Sequence, residues 1–259
     1  AALSLSYGTN LNVFLDWREV WLFATVGPFI ALLFVWLMIP SVKIKFEGQS
    51  NWGLLDLRSI LANRKVIGFT LAYSAHTAEL MGFYTWIVAF LTFSQAGINS
   101  GDLTSFLAVG TIASTVTLLA VPASIFGNEA ARRFGRLKVL RTVMFGSAVV
   151  ATILGFSSTL PYPLVLLIIV IYGVFVATDS AVITAGVVDA ADPANRGKVM
   201  AFYSLIGFLG GSIGPVTFGY MLDIGGGETT ALGWRLGFFS LAFLVCLGPI
   251  AIYFSHRRA

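Results

Sequence analysis

Two positions in this chain invite chemistry before anything else. His76 and Glu79 lie three residues apart inside the long apolar run Val66–Phe93, so on a helix they share a side. Glu79 falls near the middle of that run. Asp179 stands in a second apolar run, Tyr172–Gly186, as its sole charge, among Thr178, Ser180 and Thr184. An acid in the middle of a bilayer costs about 2.5–3.5 kcal/mol on insertion scales, and such residues face a cavity or a partner. Burial raises the tendency of either carboxyl to hold a proton. The chemistry these residues point to is reversible protonation, with His76 as the hydrogen-bonding neighbour of Glu79. Tyr73 and Phe83 lie on or near the same face, and Tyr172 opens the Asp179 run. The competing reading for each acid is a structural bond to a hydroxyl or the backbone. Asp189 and Asp192 read as solvated residues at a helix end.

The elements that must position these groups follow from composition. Hydrophobic residues make up 57% of the chain and charged residues 11%, against about 25% charged in soluble domains. Mean hydropathy is +0.87. Seven apolar runs have spanning length: Val20–Ile39, Val66–Phe93, Leu103–Phe126, Val139–Ser157, Tyr162–Val188, Val199–Leu222 and Trp234–Phe254. Runs of this length in lipid are helices, because only helices and closed barrels satisfy their own backbone there. The fold class is therefore all-α, an integral membrane protein with seven transmembrane helices. Of the sixteen Lys and Arg residues, all but Arg18 and Arg235 fall in alternate loops and the C-terminal tail. The positive-inside rule puts those segments, and the C-terminus, in the cytoplasm. The most basic segment is Gly127–Leu140, read as a short loop between two spanning helices. Cys246 is the single cysteine, which excludes a disulfide framework. No metal-ligand spacing or nucleophile constellation occurs, so neither an enzyme nor a cofactor is expected, and the net charge of +4 reflects cytoplasmic loops and not nucleic acid.

Three further patterns bear on architecture. Leu54, Leu57, Ile60 and Leu61 share a helical face within 54–65, as an interfacial helix or as an extension of the next helix. Gly207, Gly210, Gly211, Gly214 and Gly219 give small-xxx-small spacing for close packing, with Pro215 adding a kink. Trp17-Arg18 opens the first spanning run and Trp234-Arg235 the last, an echo expected of parallel repeats. Tyr84, Trp86 and Trp234 read as interface anchors, and Asp102 as a helix N-cap.

Taken together, these residues resemble the major facilitator superfamily. Arg133, Phe134, Gly135, Arg136 and Lys138 fit the family's basic loop between helices eight and nine, although Arg132 stands where the family has an acid and Gly127 falls one place early. Arg196-Gly197 followed by Ile206–Tyr220 is similar to the family's loop and helix eleven. The resemblance implies a twelve-helix protein of which this chain is the later part. Residues 1–40 would close the N-terminal bundle, 41–65 form a cytoplasmic linker, and 66–259 form the C-terminal six-helix bundle. It also implies that helices seven and ten, which carry Glu79 and Asp179, line the central cavity, and that Arg133, Gly135, Arg136 and Lys138 form a gating loop. The function expected is a proton-coupled secondary active transporter of a small molecule, working by alternating access in the plasma or inner membrane. Its partners would be substrate, protons, the bilayer and the missing N-terminal helices. The alternative is a seven-helix receptor or photoreceptor; no Lys deep in a run is available for a retinal linkage.

Overall fold

A computed structural model describes residues 16–40, 57–96 and 103–257. The tail ahead of residue 16, most of the linker, including Leu54, the Asp102 cap and the last two residues lie outside the described residues. Nine helices occur among those described: α1 Trp17–Met38, α2 Arg58–Ala62, α3 Arg64–Ala96, α4 Leu103–Phe134, α5 Arg136–Phe156, α6 Tyr162–Thr178, α7 Ser180–Ala190, α8 Arg196–Ile224 and α9 Ala231–His256. No strand is present among them.

Among the described residues, six helical segments are long and apolar enough to cross a membrane: 18–38, 111–134, 136–159, 162–190, 193–224 and 231–256. The expected seventh run is present as α3, which at 33 residues is long enough but is not among those six. The reason is its place in the bundle. Helices α8 and α9 pack along α3, and α7 crosses it. Thr70, His76, Thr77 and Glu79 on it are all buried. A helix enclosed by protein does not need the apolarity of one that faces lipid. By contrast, the described side chains of α1 are exposed almost throughout, including Trp21, Phe29 and Trp36.

Packing between α3 and α8 is set by glycine. A Cβ on Gly210 would strike the Ser74 carbonyl, and one on Gly214 would strike the Ala78 carbonyl. The two glycines are four apart, as are the two carbonyls they face, so one helical turn of α8 is in register with one turn of α3. Gly207 lies under the ring of Tyr73. Gly211 points aside, where an added Cβ would come 3.2 Å from the Met81 side chain. Trp86 Nε1 donates to the Pro215 carbonyl at 3.1 Å and ties the same two helices higher up.

Three expectations need correction. The basic stretch 127–140 is not a loop. It is helical except at Gly135, whose φ of +92° breaks α4 from α5; glycine adopts that conformation without a Cβ penalty. Trp234 is no interface anchor. It is fully buried among Trp86, Phe90, Phe93 and Phe218, and its Nε1 donates to the Glu228 carbonyl at 2.8 Å. The described part of the 54–65 stretch is a five-residue helix that buries Ile60 and leaves Leu61 exposed. It is separated from α3 at Asn63, whose Oδ1 accepts from Val66 N at 3.2 Å as a cap.

The glycine register makes a sharp stability prediction. Gly214→Ala should cost about 1–3 kcal/mol, because the obstacle is backbone and cannot move aside. Gly197→Ala, where an added Cβ meets nothing within 4 Å, should be neutral or slightly stabilising. Thermal unfolding of the detergent-solubilised protein checks this; equal midpoints for the two variants would contradict the register.

Candidate functional site

The two residues that share a side of α3 part company in the folded bundle. Positions three apart on a helix differ by about 60° in direction, and each meets a different neighbour. His76 Nδ1 lies 2.7 Å from Asp179 Oδ1, both side chains being essentially inaccessible. Glu79 turns the other way. Its Oε1 accepts from Ser147 Oγ at 2.7 Å and from Tyr172 OH at 3.0 Å. The expected Glu79–His76 bond is therefore replaced by two separate pairings, His76 with Asp179 and Glu79 with two hydroxyls. Glu79 Oε2 is buried without a hydrogen-bond partner. Four helical segments converge here: α3, α5, α6 and the α6–α7 junction.

That junction has local causes. Asp179 sits between α6 and α7 with φ −87° and ψ −17°, so the chain bends and does not break. The next segment continues, with Ile183 N donating to the Asp179 carbonyl at 2.9 Å. Thr178 Oγ1 donates back to the Val174 carbonyl at 2.6 Å, a pattern that bends helices. Opposite, Gly127 of α4 abuts the Thr178 carbonyl so closely that no side chain fits between them.

Aromatic rings surround the pair. Tyr73 stacks on Tyr203 with centroids 4.0 Å apart and lies 6.1 Å from the His76 ring. The Tyr203 hydroxyl is 2.9 Å from Thr184 Oγ1. Phe83 packs edge-on against Tyr172 at 4.7 Å and closes the Glu79 side. A hollow of about 130 Å³, lined by His76, Tyr84, Ser124 and Ser180 among others, reaches His76 but not Glu79. Ser147, Tyr203 and Ser124 were not singled out by sequence, whereas Ser180 was noted beside Asp179. The signal of those three is faint: single hydroxyls in apolar runs, brought near the acids only by folding.

The basic segment makes its contacts elsewhere. Arg133 Nε lies 2.8 Å from Glu129 Oε1, and Arg132 lies 3.4 Å from Glu129 Oε2, both within α4. Arg136 reaches across to Asp189 at 2.8 Å, so Asp189 is paired as well as exposed. Lys138 is exposed. Asn63 Nδ2 donates to the Ala190 carbonyl at 2.9 Å. The last turn of α7 is thus held from two sides, by α5 and by the residue capping α3.

Six segments of membrane-crossing length, five of them packed with α3 around a buried polar centre, define a multi-pass helical membrane protein. Residues 80–259 match the profile of the Major Facilitator Superfamily, and the chain belongs to that family. It is 25% identical over 221 residues to a hexuronate transporter of Bacillus subtilis (strain 168), a match covering 83% of this chain and 48% of that protein. The chain thus spans about half the length of this curated relative.

Two donors on one carboxyl oxygen should be coupled. Ser147→Ala or Tyr172→Phe alone leaves Oε1 with a partner and should cost about 1–2 kcal/mol. Removing both leaves a buried carboxyl with none. The double variant should then lose about 0.5 kcal/mol or more beyond the sum, as read by a double-mutant cycle on thermal unfolding. Strict additivity would contradict the shared acceptor.

Proposed function

We infer that the chain is the C-terminal part of a secondary active transporter that moves a small molecule together with protons by alternating access. The observation that carries this reading is the His76–Asp179 contact: two ionisable groups, 2.7 Å apart and inaccessible, midway along two long apolar segments. Taking such groups out of water costs more than a well-packed apolar pair, so stability does not account for them. Their use lies in charge. With Asp179 ionised and His76 neutral, the pair carries one negative charge; one proton cancels it. A neutral pair passes through a low-dielectric position far more readily than a charged one. Proton uptake on one face of the membrane and release on the other would then be tied to the rocking of the bundle. Glu79, enclosed by Ser147, Tyr172 and Phe83, is the second candidate in the pathway, and Tyr73 completes its wall beside His76.

The same reading assigns 1–40 to the end of an N-terminal bundle, 41–65 to a linker and 66–259 to the C-terminal bundle, in the plasma or inner membrane with a cytoplasmic C-terminus. Arg133, Gly135, Arg136 and Lys138 serve as a gate, with Arg136 latching the end of α7 through Asp189. Packing at Gly207, Gly211, Gly214 and Pro215 lets α8 move with α3 as one body. For substrate, a sugar acid is the class to test first, since the relative is named a hexuronate transporter.

Transport by the full-length protein in proteoliposomes tests the coupling. Asp179→Asn and Glu79→Gln keep shape but cannot ionise. Asp179→Asn should reduce proton-driven accumulation about tenfold or more while counterflow exchange continues, because exchange needs no net proton movement. Normal accumulation with normal dependence on the proton gradient in Asp179→Asn would remove the pair from the mechanism.

A further inference from the structure

Two hollows on the outside of the bundle join into one. The first, about 590 Å³, lies between the start of α3 and the end of α9 and is bordered by Arg64 and Ser255. The second, about 320 Å³, continues between α3, α8 and α9 and ends near Ala78 and Leu244. Leu71 and Ala251 line both, so the two form a continuous groove. Its character changes along its length. Arg64 is the charged residue among those lining either hollow, and it stands at one end; from Ile67 inward the walls are almost wholly apolar.

The dimensions decide what fits. From Arg64 to Ala78 α3 rises about 21 Å, and from Ser255 back to Leu244 α9 rises about 16 Å. One leaflet of a bilayer is about 15 Å of hydrocarbon, or about 20–22 Å with its headgroup zone. The groove is therefore one leaflet deep, with its cation at headgroup level and its apolar part at acyl-chain level. Lys65 is exposed beside Arg64. Among the described residues, neither Arg64 nor Lys65 makes an ion pair. Two unneutralised cations at the mouth favour a negative headgroup over a zwitterionic one.

We propose that this groove holds an acyl chain of an anionic phospholipid whose phosphate sits against Arg64 and Lys65. The lipid would bridge the entrance of α3, the helix that carries His76 and Glu79, to the end of α9. The proposal does not depend on the transport reading; it requires a multi-pass membrane protein and the groove.

Lipid retention tests it. The full-length protein in detergent is incubated with equimolar phosphatidylglycerol and phosphatidylcholine, and bound lipid is counted by native mass spectrometry. Phosphatidylglycerol should be retained about tenfold over phosphatidylcholine. Arg64→Gln with Lys65→Gln should bring the ratio to about one, and Ala251→Phe, which fills the shared section, should lower retention of both lipids. A wild-type ratio near one, or unchanged retention in Ala251→Phe, overturns the proposal. A benzoyl-phenylalanine at Leu247 gives an independent reading in membranes, without relying on the folding of those variants. Photocrosslinking to phospholipid supports the site, and crosslinking to another protein segment overturns it.

Discussion

The structure depends on one costly contact, the approach of His76 to Asp179 inside the bundle, where both side chains are essentially inaccessible. Everything around it acts to make that contact tolerable. The α6–α7 helix bends at Asp179, where Thr178 diverts its hydroxyl to the backbone and Gly127 lets α4 close in on the bend. Tyr73 and Tyr203 stack beside the imidazole and supply a polarisable wall in place of solvent. Removing either partner would strand the other, and a stranded buried ion costs about 3–5 kcal/mol. The pair is thus obligatory once present, without being a source of net stability.

Helix α3 is the member on which these constraints meet. Lipid offers no hydrophobic force to hold helices together, so association in the membrane rests on close packing and interhelical hydrogen bonds. Gly210 and Gly214 provide the first against Ser74 and Ala78. Thr77 provides the second, its hydroxyl lying 2.6 Å from the Gly207 carbonyl. Glu79 adds two more bonds, to α5 and α6. The α3–α8 pair is consequently close-packed and hydrogen-bonded backbone to side chain. The last turn of α7 is instead held at the surface by Arg136 and Asn63, and exposed ion pairs are worth about 0–1 kcal/mol.

Much of this was legible in the chain itself, for reasons that are physical. Apolar runs of spanning length must be helices, and the described parts of the seven runs are helical, six segments among them being long and apolar enough to cross a membrane. An acid in such a run must be enclosed, and both Glu79 and Asp179 are. What could not be read was partnership. Spacing of three said that His76 and Glu79 point to one side of α3, but the 60° between them is enough to send one to Asp179 and the other to Ser147. The glycine stripe signalled close packing without saying on which helix. Gly135 looked like part of a loop because basic residues surround it, whereas a single positive φ suffices to turn one helix into the next. Trp234 looked interfacial because of its neighbour Arg235; burial against Phe90 and Phe218 is a property of the assembled bundle alone. Family resemblance supplied the scale of the whole and the expectation of a cavity, while the contacts that give the candidate site its chemistry came from the fold.

The central claim is that the His76–Asp179 pair is kept for moving charge and not for holding the fold. Replacing both residues by apolar ones of similar volume, His76→Leu with Asp179→Leu, separates the two roles in the full-length protein. Each single variant should unfold at clearly lower temperature than the parent, since each strands a buried polar group. The double variant should recover most of that loss and still fail to accumulate substrate against a gradient. A double variant as unstable as the sum of the two singles, or one that is stable and accumulates substrate with normal proton dependence, would contradict the account.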